Sequence, residues 1–368
     1  MPPTAPPSGP FLTRLSLAQF RSWPRLDLAT DRRPLAIFGP NGSGKTNILE
    51  AVSMLAPGRG LRAAPAPEQA RQGRDAGWRI RATLGDHAVE TQAPPGQTRS
   101  VSIDDKTVPQ TRLARLVRVI WLVPAMDRLW SDTPEARRRF LDRVTLSLVP
   151  DHADLVLAYD KAMRERNRLL RDQVADPGWY RALEAQMAEA GAALTRNRLS
   201  ALAAIMAAQD AETGFPAARL VLLPGEGQAD DPDAASIAAR LAAMRPRDLA
   251  AGRTLSGPHR ADLGAHWGPQ DMPAALSSTG EQKALLLSLM LANARALTDQ
   301  PVLLLLDEVA AHLDADRRAM LYDLICALPA QSLLTGTGPE LFEALGPRAR
   351  RLSVTKDDGA STVAEDET

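Results

Sequence analysis

PLAIFGPNGSGKTNILEAVSML, residues 34–55, decides the fold. A short apolar run ending at Phe38 meets an eight-residue glycine-rich turn, Gly39 to Thr46, and apolar spacing of helical period resumes from Asn47. Strand, glycine loop and helix in that order make a cradle for phosphate. Gly39, Gly42 and Gly44 let the backbone curl so that successive N–H groups converge on one anion. The helix start adds its positive end. In this scheme Lys45 reaches the β and γ phosphates of ATP and the Thr46 hydroxyl ligates Mg²⁺, while Pro40, Asn41, Ser43 and Asn47 complete the nucleotide-contacting stretch. A chance turn before a helix is the bland alternative, and the complete pattern in its strand-to-helix setting outweighs it.

Two further stretches extend the scheme. PVLLLLDE, residues 301–308, is an apolar strand that ends in two carboxylates, a costly arrangement unless something at the strand end pairs with them. Asp307 would hold Mg²⁺, and Glu308 would orient or deprotonate the water that attacks the γ phosphate. SSTGEQKALLLSLML, residues 277–291, places Ser278, Gly280 and Gln282 just ahead of an apolar helix. One glycine loop already serves one nucleotide, so a second anion-binding helix end suits the γ phosphate of a nucleotide held by another copy. Asp314, in AAHLD, would lie at the same junction. A capping box of Ser278 with Glu281 explains the same residues locally, but the order of phosphate loop, Ser-x-Gly-x-Gln and strand-Asp-Glu-x₅-Asp favours the role at a facing nucleotide.

Bulk properties narrow the class. Lys and Arg number 44 against 44 Asp and Glu, which excludes a uniformly basic nucleic-acid coat but not local basic patches. Arginine is clustered, with Arg59 and Arg62 after the first helix and Arg137, Arg138 and Arg139 in RRRFLDR as DNA-contact candidates. The three consecutive arginines span most of a helical turn, so they cannot share one direction. Cys326 is the only cysteine, so no cysteine-rich metal site is available. No apolar stretch is long enough for a membrane span, and the N-terminus lacks a secretory pattern, which together predict a cytoplasmic protein without a membrane partner. Residues 57–77 read as a mobile loop and 177–209 as one long helix. The domain expectation is an α/β ATPase lobe from 11–124 and 251–354, a helical second lobe at 125–250, and disorder at 1–10 and 355–368. No sustained heptad predicts a long coiled coil.

In combination these segments resemble the RecF family of ABC-type P-loop ATPase heads. LTRLSLAQFRSW resembles its opening, with Trp23 where tyrosine is more usual, and GPNGSGKTNILEAVSMLAPGRGLR its phosphate loop and arginine-rich turn. DTPEARRRFLDR, YDKAMRERNRLLRD and GRTLSGPHRADL resemble three further family stretches. Ala261 departs from it, standing where a second acid is usual. No glutamine follows VRVIWLV and no histidine follows QSLLT, where transporter ATPases keep metal and γ-phosphate contacts; Thr335 or Thr337 stands near instead. The resemblance implies slow ATP hydrolysis, ATP-dependent head-to-head homodimers, DNA binding at gaps or single-strand/duplex junctions, and work with RecR and RecO to load RecA. An ATPase subunit of a transporter or cofactor-assembly complex is the alternative. His259 in GPHR is either a structural histidine in a turn or a contact at the dimer or nucleotide site.

Overall fold

The computed structural model describes residues 11–73, 76–209, 214–225, 233–268, 271–297 and 300–366; the expectation for residues 1–10 lies outside them. The chain begins with β1 (Leu12–Phe20), β2 (Trp23–Ala29), β3 (Leu35–Phe38), α1 (Lys45–Ser53) and α2 (Ala66–Gln69). Then come β4 (Trp78–Leu84), β5 (His87–Ala93), β6 (Ser100–Ile103), β7 (Lys106–Thr107), α3 (Leu113–Leu116) and β8 (Arg118–Leu122). Three long helices follow, α4 (Pro134–Leu148), α5 (His152–Arg171) and α6 (Pro177–Ala208), then β9 (Ala218–Leu223), α7 (Ala234–Ala251), β10 (Asp262–Trp267) and β11 (Met272–Pro273). The remainder is α8 (Thr279–Arg295), β12 (Val302–Leu306), α9 (Ala315–Ala327), β13 (Gln331–Gly336), β14 (Arg350–Asp357) and β15 (Ala360–Glu365). Two compact units result, one from residues up to Met126 and from Met290 onward, the other Asp127–Leu289.

The first unit holds two sheets. One is antiparallel, in the order β2-β1-β4-β5-β6-β7. Its strands alternate buried and exposed residues, as one-faced sheets do, and Leu15, Leu17, Trp23, Trp78 and Ile80 point into the core. The other runs β15-β14-β3-β13-β12-β8, with β14, β3, β13, β12 and β8 parallel. Every residue of β3, β12 and β8 is buried, the continuous apolar signature of strands covered on both faces. β3 lies between β13 and β14 and carries the chain into the glycine loop.

Two expectations need correcting here. Residues 355–366 are folded, since β14 and β15 form an antiparallel hairpin with Val354 and Ser361 buried. Its acids do not repel one another into solution, because Glu365 pairs with Arg350 and Asp366 with Arg351. Residues 57–77 are tied down where described. Gln69 is buried, Trp78 Nε1 donates to Ala66 O at 2.8 Å, and the half-buried Arg99 guanidinium donates to the carbonyls of Met54, Ala56 and Gly58.

The second unit is α4 to α7 with a sheet in the order β11-β10-β9. It reaches Leu289 rather than ending near 250, because β10 pairs with β9 from Asp262↔Leu223 to Trp267↔Ala218. Thr133, Asp176 and Asp233 cap α4, α6 and α7 by accepting from Ala136, Gly178 and Ser236 N–H groups. Tyr159, Met187, Leu194, Ile237 and Leu241 form the core between helices. Inside it Arg166 is fully buried, and its donors reach Glu184, Asp248, Thr254 and the Leu241 carbonyl. Removing one acid would strand a buried charge, so the group specifies how α5, α6 and α7 meet.

Candidate functional site: a phosphate loop and its carboxylates

The loop from Gly39 sits between β3 and α1, and Gly44 at the helix start has φ 110°, a conformation that a β-carbon would strain. Lys45 is buried, and its Nζ donates to the carbonyls of Gly39 at 2.8 Å and Pro40 at 2.9 Å. Burial pushes its ammonium pKa down, and the Glu308 and Asp307 carboxylates work in the opposite direction. Thr46 Oγ1 donates to Asp307 Oδ1 at 2.8 Å, joining residues 261 positions apart. Asp307, at the end of β12, also accepts from Thr335 Oγ1 at 2.7 Å. The Thr335 hydroxyl in turn accepts the Glu308 N–H at 3.0 Å. Glu308 has φ 55°, uncommon for a residue with a side chain, and the Thr335 bond helps to hold it there. Lys45, Thr46, Asp307 and Glu308 therefore gather at one place, with Thr335 beneath them.

This donor set fits Mg²⁺. That ion takes one or two protein oxygens and completes its octahedron with phosphate and water. Thr46 Oγ1 and the Asp307 carboxylate are two such oxygens at the mouth of a loop shaped for phosphate.

The Ser278 segment carries the capping box. Ser278 N–H and Oγ–H both donate to Glu281 Oε2 at 2.8 Å, and Glu281 N–H returns to Ser278 Oγ at 3.3 Å. These bonds hold the Glu281 carboxyl below its usual range. Gln282 is buried with its amide on the Ser277 carbonyl at 2.9 Å, so within the chain it shapes the turn rather than facing outward. Gly280 is different: a Cβ there would meet nothing within 4 Å. No contact in its own chain requires a glycine, which costs a helix about 1 kcal/mol relative to alanine. Asp314 is exposed and caps α9 by accepting the Arg317 N–H at 2.8 Å.

The arginine candidates divide. Arg137 forks onto Asp262 at 2.6 and 2.8 Å, and Arg138 donates to the Ala261 carbonyl at 2.9 Å, so both are engaged inside the second unit. Arg139 faces solvent beside Glu135, one turn away. Arg59 is exposed, and Arg62 donates to Asn47 Oδ1 and Glu50 Oε2, both at 2.7 Å. His259 accounts for its own burial. Its Nε2 lies 3.3 Å from the Thr254 carbonyl, which can only accept, so Nε2 carries the proton. Nδ1 is then free to accept from Tyr159 Oη at 2.8 Å. The ring is held neutral, its pKa lowered to about 4 by burial.

Sequence reasoning placed Thr335 only as a neighbour and did not reach Ser22, in the turn between β1 and β2, or Ser361, on the distant strand β15, both of which touch the loop. Thr337 is exposed and makes no part of the cluster.

No family model matches the chain. It is 46% identical to the DNA replication and repair protein RecF of Caulobacter sp. strain K31, covering 96% of this chain and 98% of that protein. Among solved structures, it overlays on the recombination mediator RecF with ATP, in the RecFOR pathway, with TM-score 0.83 at 20% identity, over 97% of this chain and 99% of that one. An Smc head with an extended coiled coil from Pyrococcus furiosus gives TM-score 0.57 at 17% identity over 97% and 96%. The fold is thus the ABC-type P-loop ATPase head with an inserted, mainly helical lobe. No helix among the described residues is long and apolar enough to cross a membrane.

Proposed function

The chain belongs to the RecF family of DNA replication and repair proteins, and from that premise we propose an ATP-operated DNA clamp. ATP sits in the Gly39–Thr46 loop, with Lys45 and the loop N–H groups on its phosphates. Thr46 and Asp307 would hold Mg²⁺, which would supply positive charge against the phosphates. Glu308 orients the attacking water, and its backbone is set by Thr335. Ser278, Gly280 and Asp314 of a second copy close over the γ phosphate, so two nucleotides are buried in a head-to-head dimer. Slow hydrolysis then reopens it. Closed dimers grip DNA at gaps or single-strand/duplex junctions through phosphate contacts, with Arg59, Arg62 and Arg139 the outward candidates. By family membership the clamp acts with RecR and RecO in loading RecA.

The observation that carries the dimer is Gly280, a helix-start glycine with open space around it. The experiment is sedimentation of Glu308→Gln with and without Mg²⁺-ATP, followed by gapped duplex DNA at two salt concentrations. The expected result is a monomer that becomes a dimer with nucleotide and then retains DNA in a salt-sensitive way. A monomer at saturating ATP would refute it.

A further inference from the structure

Two of the three loop glycines are pressed by the C-terminal hairpin. A Cβ on Gly42 (φ 78°) would meet nothing within 4 Å. On Gly39 (φ 149°) it would stand 2.1 Å from the Val354 carbonyl oxygen, and on Gly44 (φ 110°) 2.4 Å from Ser361 Oγ and 2.7 Å from Ser22 Oγ. Val354 lies on β14 and Ser361 on β15. The hairpin therefore bears on both ends of the loop and leaves its middle open.

The hydrogen bonds at Gly44 can be ordered one by one. Ser361 Oγ donates to the Ser43 carbonyl at 2.6 Å. The same hydroxyl lies 2.6 Å from Ser22 Oγ, which accepts from it, so one hydroxyl serves both oxygens. Asn47 Nδ2 donates to Ser22 Oγ at 2.8 Å, and Arg62 fixes that amide by donating to Asn47 Oδ1. Ser361 N–H also donates to Ser22 O at 2.8 Å. The result is one linked chain, in which Asn47 and Ser361 both meet at Ser22 Oγ and Ser361 also reaches the Ser43 carbonyl, with Ser361 and Ser43 both 3% exposed. Such chains reinforce one another away from water. A trans peptide puts C=O and N–H on opposite sides, so anchoring Ser43 O on the hairpin turns Gly44 N–H into the loop. Trp23 Nε1, which donates to Gly44 O at 3.1 Å, does the same for Lys45 N–H.

We propose that Ser361, relayed by Ser22, is a positioning residue for nucleotide binding: the C-terminal hairpin presets the loop N–H groups that receive phosphate. The proposal rests on the assignment of the loop to ATP. The test compares full-length parent, Ser361→Ala, Ser22→Ala, the double variant and Thr362→Ala, an exposed neighbour on β15 that serves as control. Amide hydrogen exchange over residues 39–47 is read without nucleotide, Mg²⁺-ATP affinity by titration of a fluorescent ATP analogue, and the melting temperature alongside.

Ser361→Ala is expected to speed exchange in the loop about tenfold and to raise the Kd about tenfold, near 1.4 kcal/mol. Its nucleotide-free melting point stays within about 2 °C of the parent. The double variant is expected to bind no more weakly than Ser361→Ala, because both changes break one chain. Thr362→Ala matches the parent throughout. Parental exchange in Ser361→Ala, additive losses in the double variant, or an equal loss in Thr362→Ala would overturn the proposal. A parent that fails to bind Mg²⁺-ATP would refute the nucleotide assignment, and exchange in the loop would still decide the role of Ser361.

Discussion

Gly280→Ala should push stability and assembly in opposite directions. Within the chain the added methyl touches nothing within 4 Å, and alanine is the better helix former, so the single copy gains about 0.5–1 kcal/mol. For a chain of this length that is a rise of about 1 °C in melting temperature. In the proposed ATP dimer the same methyl would occupy the space assigned to the facing nucleotide. Overpacking costs about 1–3 kcal/mol per site, and a two-fold interface contains two sites, giving about 2–6 kcal/mol. The dimer dissociation constant should therefore rise by a factor of about 30 to more than 10⁴. Calorimetry without nucleotide reads the first effect, and sedimentation over a concentration series with Mg²⁺-ATP reads the second. A variant that melts higher and still dimerises at the parental concentration would show that nothing approaches Gly280. One that melts markedly lower would show that the space around it is not open.

Thr335→Val keeps the shape but leaves the Glu308 N–H without its acceptor and Asp307 with one donor fewer. It should cost about 1–3 kcal/mol of stability by denaturant titration and slow ATP turnover, while Thr335→Ser, which keeps the hydroxyl, restores both. His259 gives a pH signature. Its folded pKa is lowered to about 4 from 6.5, so the unfolded chain binds its proton first. The neutral ring's contribution is complete above about pH 6.5 and is lost as pH falls toward 4, by about 2 kcal/mol at pH 4.5. Denaturant midpoints at pH 7 and 4.5 should therefore separate more in the parent than in His259→Gln; equal separations would remove His259 from the acid response.

What was legible in the sequence was local. The glycine loop and the LLLLDE strand announce themselves because their chemistry sits in consecutive residues, and the structure brings Thr46 to Asp307 as that spacing implied. What was not legible was long-range. Ser361 acts on a carbonyl 318 positions away, inside a stretch whose acidic composition resembles solvated tail. The inward role of Arg137 depends on Asp262, 125 positions on, and a run of three arginines contains no hint of it. Residues 262–267 look like the return of the ATPase lobe until their pairing with β9 is seen. Gln282 belonged to a spacing that suggested an outward ligand, yet side-chain direction around a helix start depends on the cap that forms there.

The position of β3 sets an order of events during biosynthesis. This strand ends at Phe38, yet both its neighbours come much later in the chain, β13 from Gln331 and β14 from Arg350. Until they are synthesised its backbone edges have no native partner, which is the condition that invites wrong pairing between nascent polypeptides. The setting of the loop by Val354 and Ser361 therefore waits on the synthesis of β14 and β15, and a product truncated before them would lack it.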